Sequence, residues 1–203
     1  MAAGSDQARR SGRAWARCDL EHIESCDGKV ILVFHLGGRT ADATKFVIRD
    51  GTPHLLSLRR DPFLGGDDFT ARVVDYMANL IRGKHGGRDD VRADAAALRR
   101  LTAECERAKK ALSYRDETVV RVRFDDDDGG VVSLLLTRAK LEELTGDLVS
   151  RAVGLVESCD GGSDDGVDEI LLVGGSTRIP MVRDPRQGLL PWQGSQQGGE
   201  PRA

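Results

Sequence analysis

Two apolar runs in this chain stop at paired glycines. One is "KVILVFHLGGRT", beginning at Lys29; the other is "EILLVGGSTR", beginning at Glu169. Each run is short and rich in Val, Ile and Leu, which predicts a buried strand. Glycines at a strand exit let backbone N–H groups approach an anion with no Cβ in the way. Hydroxyl residues follow both pairs, Thr40 after the first and Ser176 after the second. The second junction leads to Pro180, which suits the first turn of a helix. A helix start offers free N–H donors and a dipole favourable to phosphate or ribose oxygens. The same glycines also make plain tight turns, and neither junction alone separates the two readings.

The segments between these junctions alternate in character. Lys29–His35 reads as a strand, Asp42–Ile48 as a second and His54–Leu58 as a third, with Asp50-Gly51 as the hairpin signal. The first glycine pair therefore sits at a turn between antiparallel strands. Val73, Val74, Met77, Leu80 and Ile81 then recur at helical spacing, with Asp67 or Asp68 at the favourable N-terminal end and Gly86-Gly87 as the stop. A second helix over Arg92–Ser113 carries a stripe of Leu98, Leu101, Cys105, Ala108 and Leu112. Val119–Phe124 alternates Val and Arg like a half-buried strand, "DDDDGG" turns, and Val131–Leu136 returns. A third helix begins near Thr137, with Leu141, Leu144, Leu148 and Ala152 inward. A Gly/Asp/Ser-rich loop over residues 160–166 precedes the last strand. Residues 1–28 lack sustained periodicity, and residues 184–203 are dominated by Gly, Pro and Gln. Both are expected to be disordered tails flanking one domain over 29–183.

Composition narrows the function classes. A net charge of −3 over 203 residues provides no basic footprint for nucleic acid. No run is long and apolar enough to span a bilayer, and the N-terminus lacks the apolar core of a secretory signal, so a cytoplasmic location is expected. Cys18, Cys26, Cys105 and Cys159 have no metal-type spacing and read as reduced thiols. His22, His35, His54 and His85 are scattered. The run Asp125–Asp128 lacks the spaced ligands and terminal Glu of a calcium loop and reads as a solvated hairpin tip. Hydrolase and P-loop signatures are missing from the sequence. No catalytic residue and no metal ligand is assigned. One further cluster stands out: Glu106, Lys109, Lys110 and Ser113 share a helix face that borders the apolar stripe. Such a face is commonly a solvated salt-bridge surface.

Taken together, "LVFHLGGRT", "FLGGDDF", "ECERAKKALS", "LTRAKLEEL" and "DEILLVGGSTRIP" resemble the seventy-kilodalton heat-shock chaperones of the DnaK type, in matching order and spacing from about Lys29 to Arg183. The resemblance implies an α/β chain with the actin-like, ribonuclease-H-like ATPase fold. It implies lobe II alone: a β-sheet with packed helices plus a small helical and hairpin subdomain. It also implies ATP or ADP as ligand, with Mg²⁺ in the family, and ATP-dependent protein folding as the family role. Gly37, Gly38, Arg39 and Thr40 then occupy the second phosphate loop. Glu106, Lys109 and Ser113 would hydrogen-bond the sugar or base, with Lys110 where the family has a stacking arginine. Gly174, Gly175, Ser176 and Arg178 match the adenosine loop.

This chain departs from the family pattern in ways that bear on chemistry. His35 replaces an aspartate that helps organise the magnesium and its water shell. Arg39 replaces a glycine that lets the backbone reach phosphate, and Lys110 loses planar stacking. Lobe I, with its own phosphate turn and lysine, and the substrate-binding domain have no counterpart in these residues. The expectation is a truncated nucleotide half-site that does not hydrolyse ATP alone. The alternatives are a non-catalytic module for co-chaperones or nucleotide-exchange partners, with unfolded clients met only through the missing domain, or a degenerate gene product.

Overall fold

A computed structural model describes residues 26–84, 90–124, 130–161 and 166–184. The expected tails lie largely outside these residues, as do the stop at Gly86-Gly87 and the aspartate tip Asp125–Asp128. The first apolar run forms β1 (Val30–Leu36), whose buried positions alternate between two faces of a sheet. It pairs antiparallel with β2 (Ala41–Arg49), and β2 pairs antiparallel with β3 (Thr52–Asp61). The second apolar run forms β6 (Glu169–Val173), which lies parallel to β1 on its other side. The sheet order is β3-β2-β1-β6, so the two glycine pairs leave adjacent strands at the same end.

Three long helices and a hairpin make up most of the rest. Helix α1 spans Gly66–Lys84 with Asp67 and Asp68 in its first turn. Helix α2 spans Ala95–Ala111, where the Asp94 side chain accepts from Ala96 N and caps the start. Strands β4 (Glu117–Arg123) and β5 (Val131–Thr137) form a separate antiparallel ribbon. Thr137 ends that ribbon and caps α3 (Arg138–Asp160), its hydroxyl accepting from Lys140 N. Gly161, at φ 69, closes α3 in the left-handed conformation that glycine tolerates.

Most apolar positions separate into two large cores, with a smaller third cluster of Cys26, Ile31, Val33 and Ile48. In the first, Leu32, Phe34 and Leu36 of β1 meet Leu148, Val149, Ala152 and Val156 of α3, with Phe69 and Val182. In the second, Val73, Met77 and Ile81 of α1 pack on Leu101, Cys105 and Ala108 of α2 and on Val120, Val122, Leu134 and Leu136 of the ribbon. Helix α1 belongs to both cores, so its N-terminal turn sits at the seam between the sheet and the helical subdomain. Residues at this seam are constrained from both sides.

Most expected core positions are buried, but α3 differs in one place. Leu144 is only half-buried and Thr145 takes the buried position beside it, its hydroxyl donating to Leu141 O at 2.7 Å. Bonding to the preceding turn satisfies the polar atom and makes that burial tolerable. Cys26, Cys105 and Cys159 are free and buried. Burial, with Glu104 close by, pushes the Cys105 thiol up to about 12 and leaves it inert.

Candidate nucleotide half-site

Strand pairing first brings the two glycine junctions together. Gly37 N–H donates to Thr40 O at 3.0 Å and closes the 37–40 loop between β1 and β2. Across the sheet, Gly174 leaves β6 at φ 97. A Cβ there would lie 2.3 Å from Leu36 O, so only glycine lets the β6 exit lie so close to the β1 exit. A 3-10 turn follows over Gly175–Arg178, held by Thr177 Oγ1 donating to Gly174 O at 2.7 Å. Helix α4 (Pro180–Arg183) starts at Pro180 as the sequence predicts, though it is a single turn.

A third glycine pair, Gly65-Gly66, ties these loops to the helices. Gly66 N–H and Ser176 Oγ both donate to Gly37 O at 2.9 Å. Asp67 N–H donates to Gly38 O at 2.7 Å. On the other side, Lys109 Nζ donates to Gly66 O at 2.6 Å. Gly66 therefore bonds the first loop through its N–H and the α2 face through its carbonyl, and it shares Gly37 O with Ser176 of the last loop. Gly65 is also obligatory: a Cβ would lie 2.5 Å from both Gly38 O and Arg39 N. Gly65 and Gly66 stand in the "FLGGDDF" segment quoted above but carry no site role in the sequence reading. The signal was present, because a Gly-Gly pair immediately before an acidic helix start repeats the pattern of the two junctions.

The α2 face is not a solvated salt-bridge surface at its centre. Lys109 is only 5% exposed, and its ammonium is boxed in by Gly66 O, by Thr70 Oγ1 at 2.9 Å and by Glu106 Oε2 at 2.5 Å. Thr70 Oγ1 also lies 2.5 Å from Glu106 Oε2 and donates its single proton there. Lys110 Nζ reaches Glu106 Oε1 at 3.0 Å and stays exposed. Burial raises the Glu106 carboxyl, but hydrogen bonds from Lys109, Thr70 and Lys110 together outweigh it and hold the group below the usual carboxylate range. Ser113 lies beyond the end of α2, in the closing turn, with its N–H on Lys110 O at 3.2 Å.

Around this buried knot the charged and open groups face solvent. Gly38, Arg39, Gly175 and Arg178 are exposed, and neither arginine has an ion-pair partner among the described residues. Arg39 does not adopt positive φ, since Asp50 is the one non-glycine residue that does among those described. Its side chain is thus accommodated without backbone strain. A Cβ at Gly38 would meet only Asp67 Oδ1 at 3.7 Å, an ordinary contact, so packing within the lobe does not demand this glycine. The N–H groups of Gly38 and Arg39 donate to nothing among the described residues. Glu106, Lys109, Ser176, Gly37 and Gly174 hold the frame, while Gly38, Arg39, Lys110, Gly175 and Arg178 form its open rim.

A family model for Hsp70 protein matches residues 20–191. The chain belongs to the Hsp70 family. Its sequence is 42% identical over 183 residues to heat shock 70 kDa protein BIP3 of Oryza sativa subsp. japonica, covering 83% of this chain. The chain spans 27% of the length of that relative. The α/β layers, mixed sheet and packed helices are those of part of the actin-like Hsp70 ATPase domain. Among the described residues, no helix is long and apolar enough to cross a membrane.

Proposed function

We propose that this Hsp70-family chain binds ADP and ATP through one wall of an adenine-nucleotide site that serves ATP-dependent protein folding. The observation that carries this reading is the convergence on Gly66. Loop 37–40, the α2 face and loop 174–178 are remote in sequence and join through the hydrogen bonds of Gly66 and Gly37 O. Buried polar contacts lock the frame, leaving donors and cations on its rim. The rim suits a ligand with an anionic end and a planar cationophilic end. Arg39 and the free N–H groups of loop 37–40 take the phosphates. Lys110 and Arg178 flank the base, and Ser113 lies near the sugar.

The same geometry argues against hydrolysis by these residues alone. Phosphoryl transfer relies on positioning and charge stabilisation around the whole transferring group. This lobe supplies a single wall. The chain by itself therefore holds nucleotide and leaves it uncleaved.

Titration calorimetry tests the reading. ADP should bind the purified chain in the micromolar to millimolar range, and Arg178→Ala should weaken it roughly tenfold, the loss of a cation–π or charge-assisted contact of about 1–2 kcal/mol. An Arg178→Ala protein that binds ADP as well as the parent would remove loop 174–178 from the site. ATP turnover by the chain alone would refute the single-wall argument.

A further inference from the structure

The phosphate corner contains an arrangement that the nucleotide reading does not itself require. His35 of β1 stands opposite Asp42 of β2, Asp42 stands opposite Arg60 of β3, and His35 stands opposite Val173 of β6. The side chains connect along this row. His35 Nδ1 lies 3.4 Å from Asp42 Oδ2, and Arg60 Nε lies 3.2 Å from Asp42 Oδ1. The imidazole is wedged between the two glycine exits. A Cβ on Gly37 would lie 3.0 Å from its Cε1 and 3.3 Å from its Nε2, and one on Gly174 would lie 3.1 Å from its Cδ2. Nδ1 thus points at the carboxylate, while the Cε1–Nε2 edge lies against the phosphate loop. The side chain is 35% exposed, and Nε2 has no hydrogen-bond partner among the described residues.

A divalent cation does not fit this corner. Mg²⁺ takes oxygen ligands, usually one or two carboxylates beside the substrate phosphates. Asp42 Oδ1 is taken by the Arg60 guanidinium and Oδ2 lies against the His35 ring, and Asp68 Oδ2 accepts from Gly65 N at 2.8 Å. Asp67 is the carboxylate left near Gly38, and no group of three or more His, Cys, Asp or Glu among the described residues is placed to hold a metal. An imidazole faces the loop instead.

Resting on the nucleotide reading, we infer that this corner binds the nucleotide's phosphates without a divalent cation, through protonated His35 together with Arg39. Along the row the imidazole faces Asp42, which is shared with Arg60; Arg39 follows on the same loop, Asp67 of α1 lies near Gly38 of that loop, and Arg178 is on the loop after β6. Asp42 lies beside Nδ1 of the ring. Protonation makes Nε2 a donor toward the loop and adds positive charge beside the phosphates. A proton on the imidazole adds this contact, so affinity for phosphate is expected to be higher in acid.

The experiment compares ADP and adenosine at pH 6.0 and 8.0, each with Mg²⁺ and with a chelator. The parent chain should bind ADP roughly fivefold more tightly at the lower pH, as one added charge-assisted contact implies. Adenosine affinity should not change, and the chelator should move the ADP dissociation constant by less than about twofold. The terminal phosphate of ADP takes up a proton near pH 6 and works against this trend. His35→Gln, neutral at both values, exposes that background and should lose the acid enhancement. Arg39→Gln, on the exposed loop, should weaken ADP roughly fivefold at both pH values and keep the enhancement. ADP binding that collapses in chelator, or a His35→Gln protein with the parent's pH dependence, would overturn the inference. Adenosine binding with ADP no tighter would sink the phosphate corner and spare the nucleoside reading. No binding of either would sink both.

Discussion

Gly174→Ala is expected to destabilise the chain by about 3 kcal/mol, combining a left-handed backbone penalty with overpacking against main chain. The new methyl would sit 2.3 Å from Leu36 O and 2.8 Å from Leu36 C, and backbone atoms cannot swing aside as a side chain does. Relief requires β1 and β6 to separate at the end where the loops are built. A loss of this size is a large fraction of the 5–15 kcal/mol that a domain usually has. Gly51→Ala is the control. Gly51 also has positive φ, at 66, but nothing lies within 4 Å of its Cβ position, so about 1 kcal/mol is expected. Urea denaturation of both variants measures the difference as a shift in midpoint at unchanged slope. Equal losses would mean that the close approach of β6 to Leu36 is not a constraint.

Lys109→Ala is the second large effect, also about 3 kcal/mol. The substitution leaves Gly66 O and Thr70 without their ammonium donor in a buried place and empties the volume of the stem. Lys109→Met keeps much of that volume and should lose less. Lys110→Ala, one position along but with its side chain 72% exposed, should cost under about 0.5 kcal/mol. The pH dependence has a definite sign. Glu106 has a depressed carboxyl in the folded chain, so its contribution is present above the unfolded value and is lost as pH falls through the folded one. Without Lys109 that depression shrinks, and the variant should lose less stability on acidification than the parent. Denaturant midpoints across the carboxylate range report this. A Lys109→Ala protein no less stable than Lys110→Ala would mean that the buried knot does not exist.

The order and type of the elements were legible because strand and helix periods are local. "KVILVF" and "EILLV" could be read as strands, and the stripe from Leu101 to Leu112 as a helix face, without any knowledge of what packs on them. Burial of Lys109 was not legible. Its spacing from Glu106 is that of an exposed ion pair, and only the arrival of Gly66, 43 positions away, converts it into a buried one. The row from His35 to Arg60 was hidden for a different reason. Counting back from the Asp50-Gly51 turn places Arg59 opposite Asp42. A bulge at Lys45/Phe46, where Leu56 is the extra residue of β3, shifts the register and brings Arg60 there instead. Likewise, the cost of a side chain at Gly174 or Gly65 depends on which main chain approaches it, and no local pattern encodes that.

The central claim is that loop 37–40, the end of α2 and loop 174–178 act as one nucleotide-binding surface. Amide chemical shifts recorded during an ADP titration test it most directly. Gly38, Arg39, Ser113, Gly175 and Arg178 should move together along a single saturation curve, with Gly66 following because it joins them, while the β4–β5 ribbon stays still. Shifts confined to the ribbon, or rim residues that titrate with separate midpoints, would contradict the claim.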